Sequence, residues 1–162
     1  MIERTLVILK PDAVKRSLIG RVMSRLEDVG LKIVAAKMVK VTPEFAQQHY
    51  ADLAQRRGDK VATMMIQFLV SGPVFALAVD GVDAVENVRK LVGATEPKAA
   101  LPGTIRGDFS HVSFSHADKE NRAIENLIHA SGSSDDAQRE IALWFTAKEI
   151  HTYKTAQEDH VF

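Results

Sequence analysis

Two groups of residues in this chain have the types and the spacing to do chemistry. The first is His129, in the phrase Asn126-Leu-Ile-His129-Ala-Ser131, with Glu140 following eleven positions later. An imidazole held by a carboxylate is a competent nucleophile near neutral pH. The second group is basic. Lys10, Arg89 and Arg106 stand in three distant segments, and cations gathered in this way suit a polyphosphate, arginine as a planar fork and lysine as a point charge. Taken singly, each residue has a plainer reading: a lone histidine is more often packed structure, and a lone cation is more often a solvated surface charge.

The elements that must bring these residues together can be read from hydrophobic period. Thr5–Leu9 is a short apolar run rich in β-branched residues, which predicts a strand buried on both faces, and Pro11 ends it. Val22, Leu26 and Val29 recur at helical spacing, and Gly30 is the stop. Residues 31–41 read as a half-exposed strand, and Thr42-Pro43 as a helix start with Thr42 as N-cap. Past Gly58, residues 61–70 read as a buried helix and residues 74–79 as a second buried strand. Val82, Val85, Val88 and Leu91 predict an amphipathic helix. Residues 101–109, with Pro102, Gly103 and Gly107, read as loop, and one or two helical turns are expected within 118–124. Leu127–His129 is a short strand, and Ser133 or Ser134 caps a helix running through Phe145. The order β-α-β-α-β-α-loop-β-α matches the ferredoxin-like βαββαβ arrangement, an α/β (α+β) fold with a four-stranded antiparallel sheet covered by helices.

The chain has 162 residues, 46% of them hydrophobic, which suits a single globular domain. Its 21 basic and 21 acidic side chains cancel, which argues against a protein that coats nucleic acid or an anionic membrane. There is no cysteine, so disulfides and thiolate metal sites are excluded. The start Met-Ile-Glu-Arg carries charge where a signal peptide needs an apolar core, and cytoplasm is the default compartment. His111, His116 and Asp118 match no metal-ligand spacing and read as solvated residues.

Several stretches taken in order resemble the nucleoside diphosphate kinase family. They are Arg4–Val14 (RTLVILKPDAV), His49-Tyr50, Ser71-Gly-Pro73, Arg89, Val92–Pro97 (VGATEP), Pro102–Phe109 (PGTIRGDF), Asn126–Ser131 (NLIHAS) and Glu140–Phe145 (EIALWF). The resemblance spans Glu3 to Phe145 and implies a ping-pong phosphotransferase. His129 would take the γ-phosphate of a nucleoside triphosphate and pass it to a nucleoside diphosphate, so these nucleotides are the expected partners. Glu140 would orient the ring and Ser131 would be linked to it. Lys10, Tyr50, Arg89, Thr95 and Arg106 match phosphate-side residues, and Asn126 with Lys10 match groups that reach the sugar hydroxyls. Mg²⁺ would be held mainly by the phosphates. A homo-oligomer, hexamer or tetramer, is also implied, with Pro97 in a loop that often lies at subunit contacts.

The sequence departs from the family pattern at the base end of the site. No aromatic residue follows Tyr50 until Phe68, and Gly58 stands about where a base-stacking ring is usual. The stretch between Phe109 and Asn126 is about ten residues longer than expected, an insertion near 110–125. Phe114, Val112 or His111 is the expected replacement for the stacking surface, against the plainer reading of a bland apolar wall with the insertion serving assembly. Ala130 stands where glycine is usual. His49 reads as a packing or solvent-facing residue, and the tail 146–162 as frayed or wrapped on a neighbouring subunit. Two rival functions are a nucleotide-binding regulator without turnover and a carrier that passes phosphate from His129 to a protein.

Overall fold

The structure is a computed structural model describing residues 1–162. Four strands, β1 (Ile2–Leu9), β2 (Lys32–Val39), β3 (Val74–Val82) and β4 (Ile128–Ala130), form one antiparallel sheet in the order β2-β3-β1-β4. β1 is central, and successive side chains alternate between faces. Val7 and Leu9 pack on one face with Leu77 and Val79. Leu6 and Ile8 pack on the other with Ala76 and Ala78. All of these are fully buried, as the unbroken apolar run predicts.

Each face has its own helical layer. α1 (Pro11–Lys15) and α2 (Ile19–Glu27) follow β1, and α2 buries Val22 and Leu26 on the first face beside Val88. α3 (Pro43–His49), α4 (Leu53–Arg57) and α5 (Asp59–Val70) follow β2, and Ala46 and Leu69 join the second cluster. Thr42 caps α3, its hydroxyl accepting from the Phe45 N–H at 3.3 Å. α6 (Ala84–Val92) returns to the first face. α7 (Ile105–Phe109), α8 (Phe114–Lys119), α9 (Ser134–Trp144) and α10 (Glu158–Val161) complete the chain. Trp144 of α9 closes the second cluster, and Ser133 is that helix's N-cap.

Several local expectations need correction. Residues 101–109 are not all loop: α7 forms because the Thr104 hydroxyl accepts from the Gly107 N–H at 3.1 Å, a cap that outweighs the glycine's poor propensity. The helix in the insertion is α8, earlier than 118–124, because Ser113 caps it and it ends after Lys119. Val29 lies beyond α2 and is exposed, and Val82 ends β3 rather than opening α6. α5 is only half buried, with Ala62 and Leu69 inside. The tail runs along β2 of its own chain: His151 donates its backbone N–H to the Val34 carbonyl at 2.8 Å. The Tyr153 hydroxyl donates to the Ile33 carbonyl at 2.6 Å, and Lys32 pairs with Glu158 at 2.7 Å.

One backbone strain positions the site. Leu127, fully buried, holds φ of 71°, a left-handed conformation that a leucine seldom adopts. The end of β1 keeps it there. Asp12 accepts the Leu127 N–H at 2.9 Å, and the Lys10 N–H donates to the Leu127 carbonyl at 2.8 Å. The chain therefore turns sharply into β4, where His129 pairs with Ile8.

Candidate active site

A cavity of about 530 Å³ opens beside His129. Its floor is β4 with the ends of β1 and α3. α4 and α5 contribute Leu53, Arg57, Val61, Met64 and Met65 to its lining, and α8 contributes Phe114, Ala117 and Asp118. Lys10, Tyr50, Arg89, Thr95, Arg106, Asn126, His129 and Glu140 all line it, so eight of the nine expected site residues reach one space. The ninth, Ser131, lies fully buried behind Glu140.

His129 is held through Nε2, which lies 3.0 Å from both Glu140 oxygens. An ionised carboxylate only accepts, so the ring carries its proton on Nε2 and Nδ1 keeps its lone pair. Glu140 is fixed in turn. The Ser131 hydroxyl donates to it at 2.6 Å, and that hydroxyl accepts from the Leu6 N–H at 3.2 Å. Burial pushes the Glu140 carboxyl up, but the bonds from His129 and Ser131 outweigh burial and hold it below its ordinary value. The carboxylate is thus ionised at neutral pH.

The cations are arranged rather than scattered. Arg106 is buried, with Nε on the Asn126 carbonyl (3.1 Å), Nη1 on Gly93 (3.1 Å) and Nη2 on Ile128 (2.6 Å). Those three bonds use three of its five donor hydrogens, leaving one on each terminal nitrogen. Burial, then the nearby Arg89, lowers its pKa to about 10. Lys10 donates to Asn126 Oδ1 at 2.7 Å, and Asn126 donates to the Thr95 carbonyl at 2.8 Å. Burial, with Arg106 adding to it, pulls the Lys10 ammonium down to about 7. Arg56 and Arg139 pair with Asp52 and Asp136 and Arg122 with Glu125, whereas Lys10, Arg57, Arg89 and Arg106 have no carboxylate partner. A chain of zero net charge therefore presents a cavity with four unpaired cations.

Other expectations sort clearly. Phe114 is at the cavity, and Val112 and His111 are not. His111, His116 and Asp118 form no ligand cluster. His49, expected to pack or face solvent, is buried beside His129 with ring centres 4.7 Å apart. Asp12 was not singled out from the sequence. Its role depends on Leu127, and only the lysine-proline-aspartate turn after β1 hinted at a constrained backbone. Arg57, Met64 and Met65 were also missed, because an unpaired arginine and two methionines carry no spacing signal.

A ferredoxin-like sheet that ends in an oriented imidazole beside unpaired cations forms a cavity suited to a polyanion. The family model described as nucleoside diphosphate kinase matches residues 3–150. The chain belongs to the nucleoside diphosphate kinase family. It is 50% identical over 160 residues to the nucleoside diphosphate kinase of Borreliella burgdorferi, covering 98% of this chain and 96% of that protein. It is 46% identical over 157 residues to the one of Pyrococcus furiosus, covering 97% and 91%. Among solved structures, a transition-state mimic of the Borrelia burgdorferi enzyme with bound vanadate and ADP superposes with a TM-score of 0.97 at 49% identity, over 99% of this chain and 96% of that one. A Halobacterium salinarum enzyme in complex with CDP gives 0.86 at 39% identity, over 100% and 99%.

Proposed function

We propose that this protein moves the γ-phosphoryl group of a nucleoside triphosphate to a nucleoside diphosphate through a phosphohistidine on His129. The observation that carries the reading is the pairing of His129 Nε2 with both oxygens of Glu140 at 3.0 Å, which leaves Nδ1 free at a cationic cavity. Nδ1 attacks the γ-phosphorus. The Nδ1–P bond forms while the bond from phosphorus to the bridging β,γ-oxygen breaks, and the electron pair leaves on the diphosphate. A second nucleoside diphosphate reverses these steps. Glu140 fixes the tautomer and balances the positive imidazolium that forms. Arg89, Arg106 and Lys10 face the phosphate oxygens, Tyr50 and Thr95 add hydroxyls, and Asn126 with Lys10 reaches the sugar. Phosphoryl transfer depends mostly on such positioning and charge stabilisation.

The residues fit a Mg²⁺ ion carried on the nucleotide rather than caged by protein. The inner cavity presents cations, and its buried carboxylate, Glu140, already accepts from His129 and Ser131. When bound, Mg²⁺ neutralises charge on the phosphate oxygens. The base fits between Phe114 and the aliphatic wall of Val61, Met64 and Met65, a surface without base-edge code, which suits a broad range of bases. No helix is long and apolar enough to cross a membrane. A cytoplasmic homo-oligomer, hexamer or tetramer, completes the reading, and sedimentation reads the stoichiometry.

The test is intact mass after mixing protein with ATP and Mg²⁺. The expected result is an acid-labile phosphate adduct that is absent from His129→Ala and is discharged by GDP as GTP forms. Transfer that requires both nucleotides bound together, with no adduct, would overturn it.

A further inference from the structure

We propose that His49 is a further phosphoryl-binding residue of this site, a donor whose Nε2–H, together with the Tyr50 hydroxyl, receives an oxygen of the group in transit on His129. The inference rests on the phosphohistidine reading above and concerns a residue that the reading does not use.

His49 closes α3 and reaches the cavity floor with only 3% of its surface exposed. The Trp144 indole N–H points at its Nδ1 at 3.2 Å. An indole nitrogen can only donate, so Nδ1 is the acceptor and the neutral ring keeps its proton on Nε2. That Nε2–H is buried and has no partner in the chain, and the adjacent Tyr50 hydroxyl is in the same state. Two orphaned buried donors side by side are rare in a native fold, and a functional site is one of the few places that explains them.

The ring stays neutral at working pH. Burial, with His129 adding to it, holds its pKa at about 3. The groups facing it are His129 from β4, Glu140 and Arg139 from α9, Lys10 from the end of β1, and Tyr50 beside it, and Glu140 alone favours the charged ring. Burial and Glu140 likewise keep the Tyr50 phenol protonated.

A metal is the obvious competing occupant, because ligand atoms of His49, His129 and Glu140 lie within 4.8 Å of one another. The surrounding bonds exclude it. A ligating histidine donates its other N–H outward, but His49 accepts there from Trp144. Both Glu140 oxygens already accept hydrogen bonds from His129, one of them also from Ser131. What the pair of donors lacks is an acceptor, and the reaction delivers one. The His49 and His129 rings stand at 81° with 4.7 Å between their centres and both line the cavity, so the proposal places a phosphoryl group held on His129 within reach of His49. A neutral donor bonds the anionic oxygen without the ion-pair attraction that a cation would add to a group that must leave again.

The experiment compares native protein, His49→Phe and His49→Gln by quench-flow. It times phosphohistidine formation from ATP and its discharge by GDP, beside ADP affinity. His49→Phe is expected to slow both transfers by roughly tenfold or more. ADP affinity should stay within about twofold, because ADP lacks the transferred group. His49→Gln, which restores a neutral N–H, should recover most of the rate. Transfer by His49→Phe at the native rate, or His49→Gln as slow as His49→Phe, would overturn the proposal. Should His49→Phe fail to fold, histidine ¹⁵N spectra of native protein decide: a His49 Nε2–H resonance that moves on phosphorylation supports it, and one that does not move overturns it. Failure of the native protein to form any adduct would instead sink the phosphohistidine reading, and the same quench shows it.

Discussion

Lys10 shows how one residue couples the site to pH. Its folded-state pKa is depressed to about 7 from 10.5, by burial first and Arg106 second. Folding therefore disfavours its charged form. The cost is complete below about pH 7 and is relieved as pH rises toward the unfolded value. Lys10→Met should thus raise the melting temperature of the ligand-free protein, and the gain should shrink between about pH 7 and pH 10. Polyphosphate favours the ammonium, so ADP binding near pH 8 should take up protons, measured by calorimetry in buffers of different ionisation heat, and Lys10→Met should abolish the uptake. A residue such as His129 was legible in the sequence because its partner Glu140 is local, one strand, turn and helix away. His49 and Asp12 were not. Their roles depend on Trp144 and Leu127, 95 and 115 positions distant, and no local pattern encodes such a contact.

The elements were legible where one force dominated. β1 declared itself through apolar residues on both faces, and α9 through a serine cap and two first-turn aspartates. α7 and α8 were misread because side-chain caps, not hydrophobic period, decide such short helices. The end of the cavity proposed to take the base is built from the same kind of short pieces. Gly58 joins α4 to α5 at φ 88° and ψ 158°, a conformation that is nearly glycine's alone, with open space where a methyl group would stand. Gly58→Ala should therefore cost about 1–3 kcal/mol through the backbone alone, read as a lower urea midpoint with an unchanged slope. Phe114 on α8 is held by its own backbone N–H, bonded to Glu96 at 2.8 Å, which ties the insertion to the loop before α7. Phe114→Ala should weaken ADP by about tenfold, the scale of a lost base–aromatic stack, while single-turnover transfer at saturation stays near native. Equal ADP affinity in titration would assign the base to the aliphatic wall instead.

At the scale of the molecule, zero net charge and a cationic cavity are compatible because acids pair with the outer arginines and leave the inner ones alone. A folded chain that gathers like charges stores repulsion, and nucleotide relieves it. ADP at a hundredfold excess over its Kd should stabilise the fold by about 2.7 kcal/mol, visible as a raised melting temperature that falls back with salt. The two halves of the site are distributed differently along the chain. His129, Ser131 and Glu140 fall within twelve consecutive residues, whereas Lys10, Arg89, Arg106 and Asn126 are assembled from four separate segments. Both halves nevertheless rest on one strand: β4 and α9 each pack on β1 and Lys10 follows directly from it, so whatever loosens β1 undoes the oriented imidazole and the cationic cluster together.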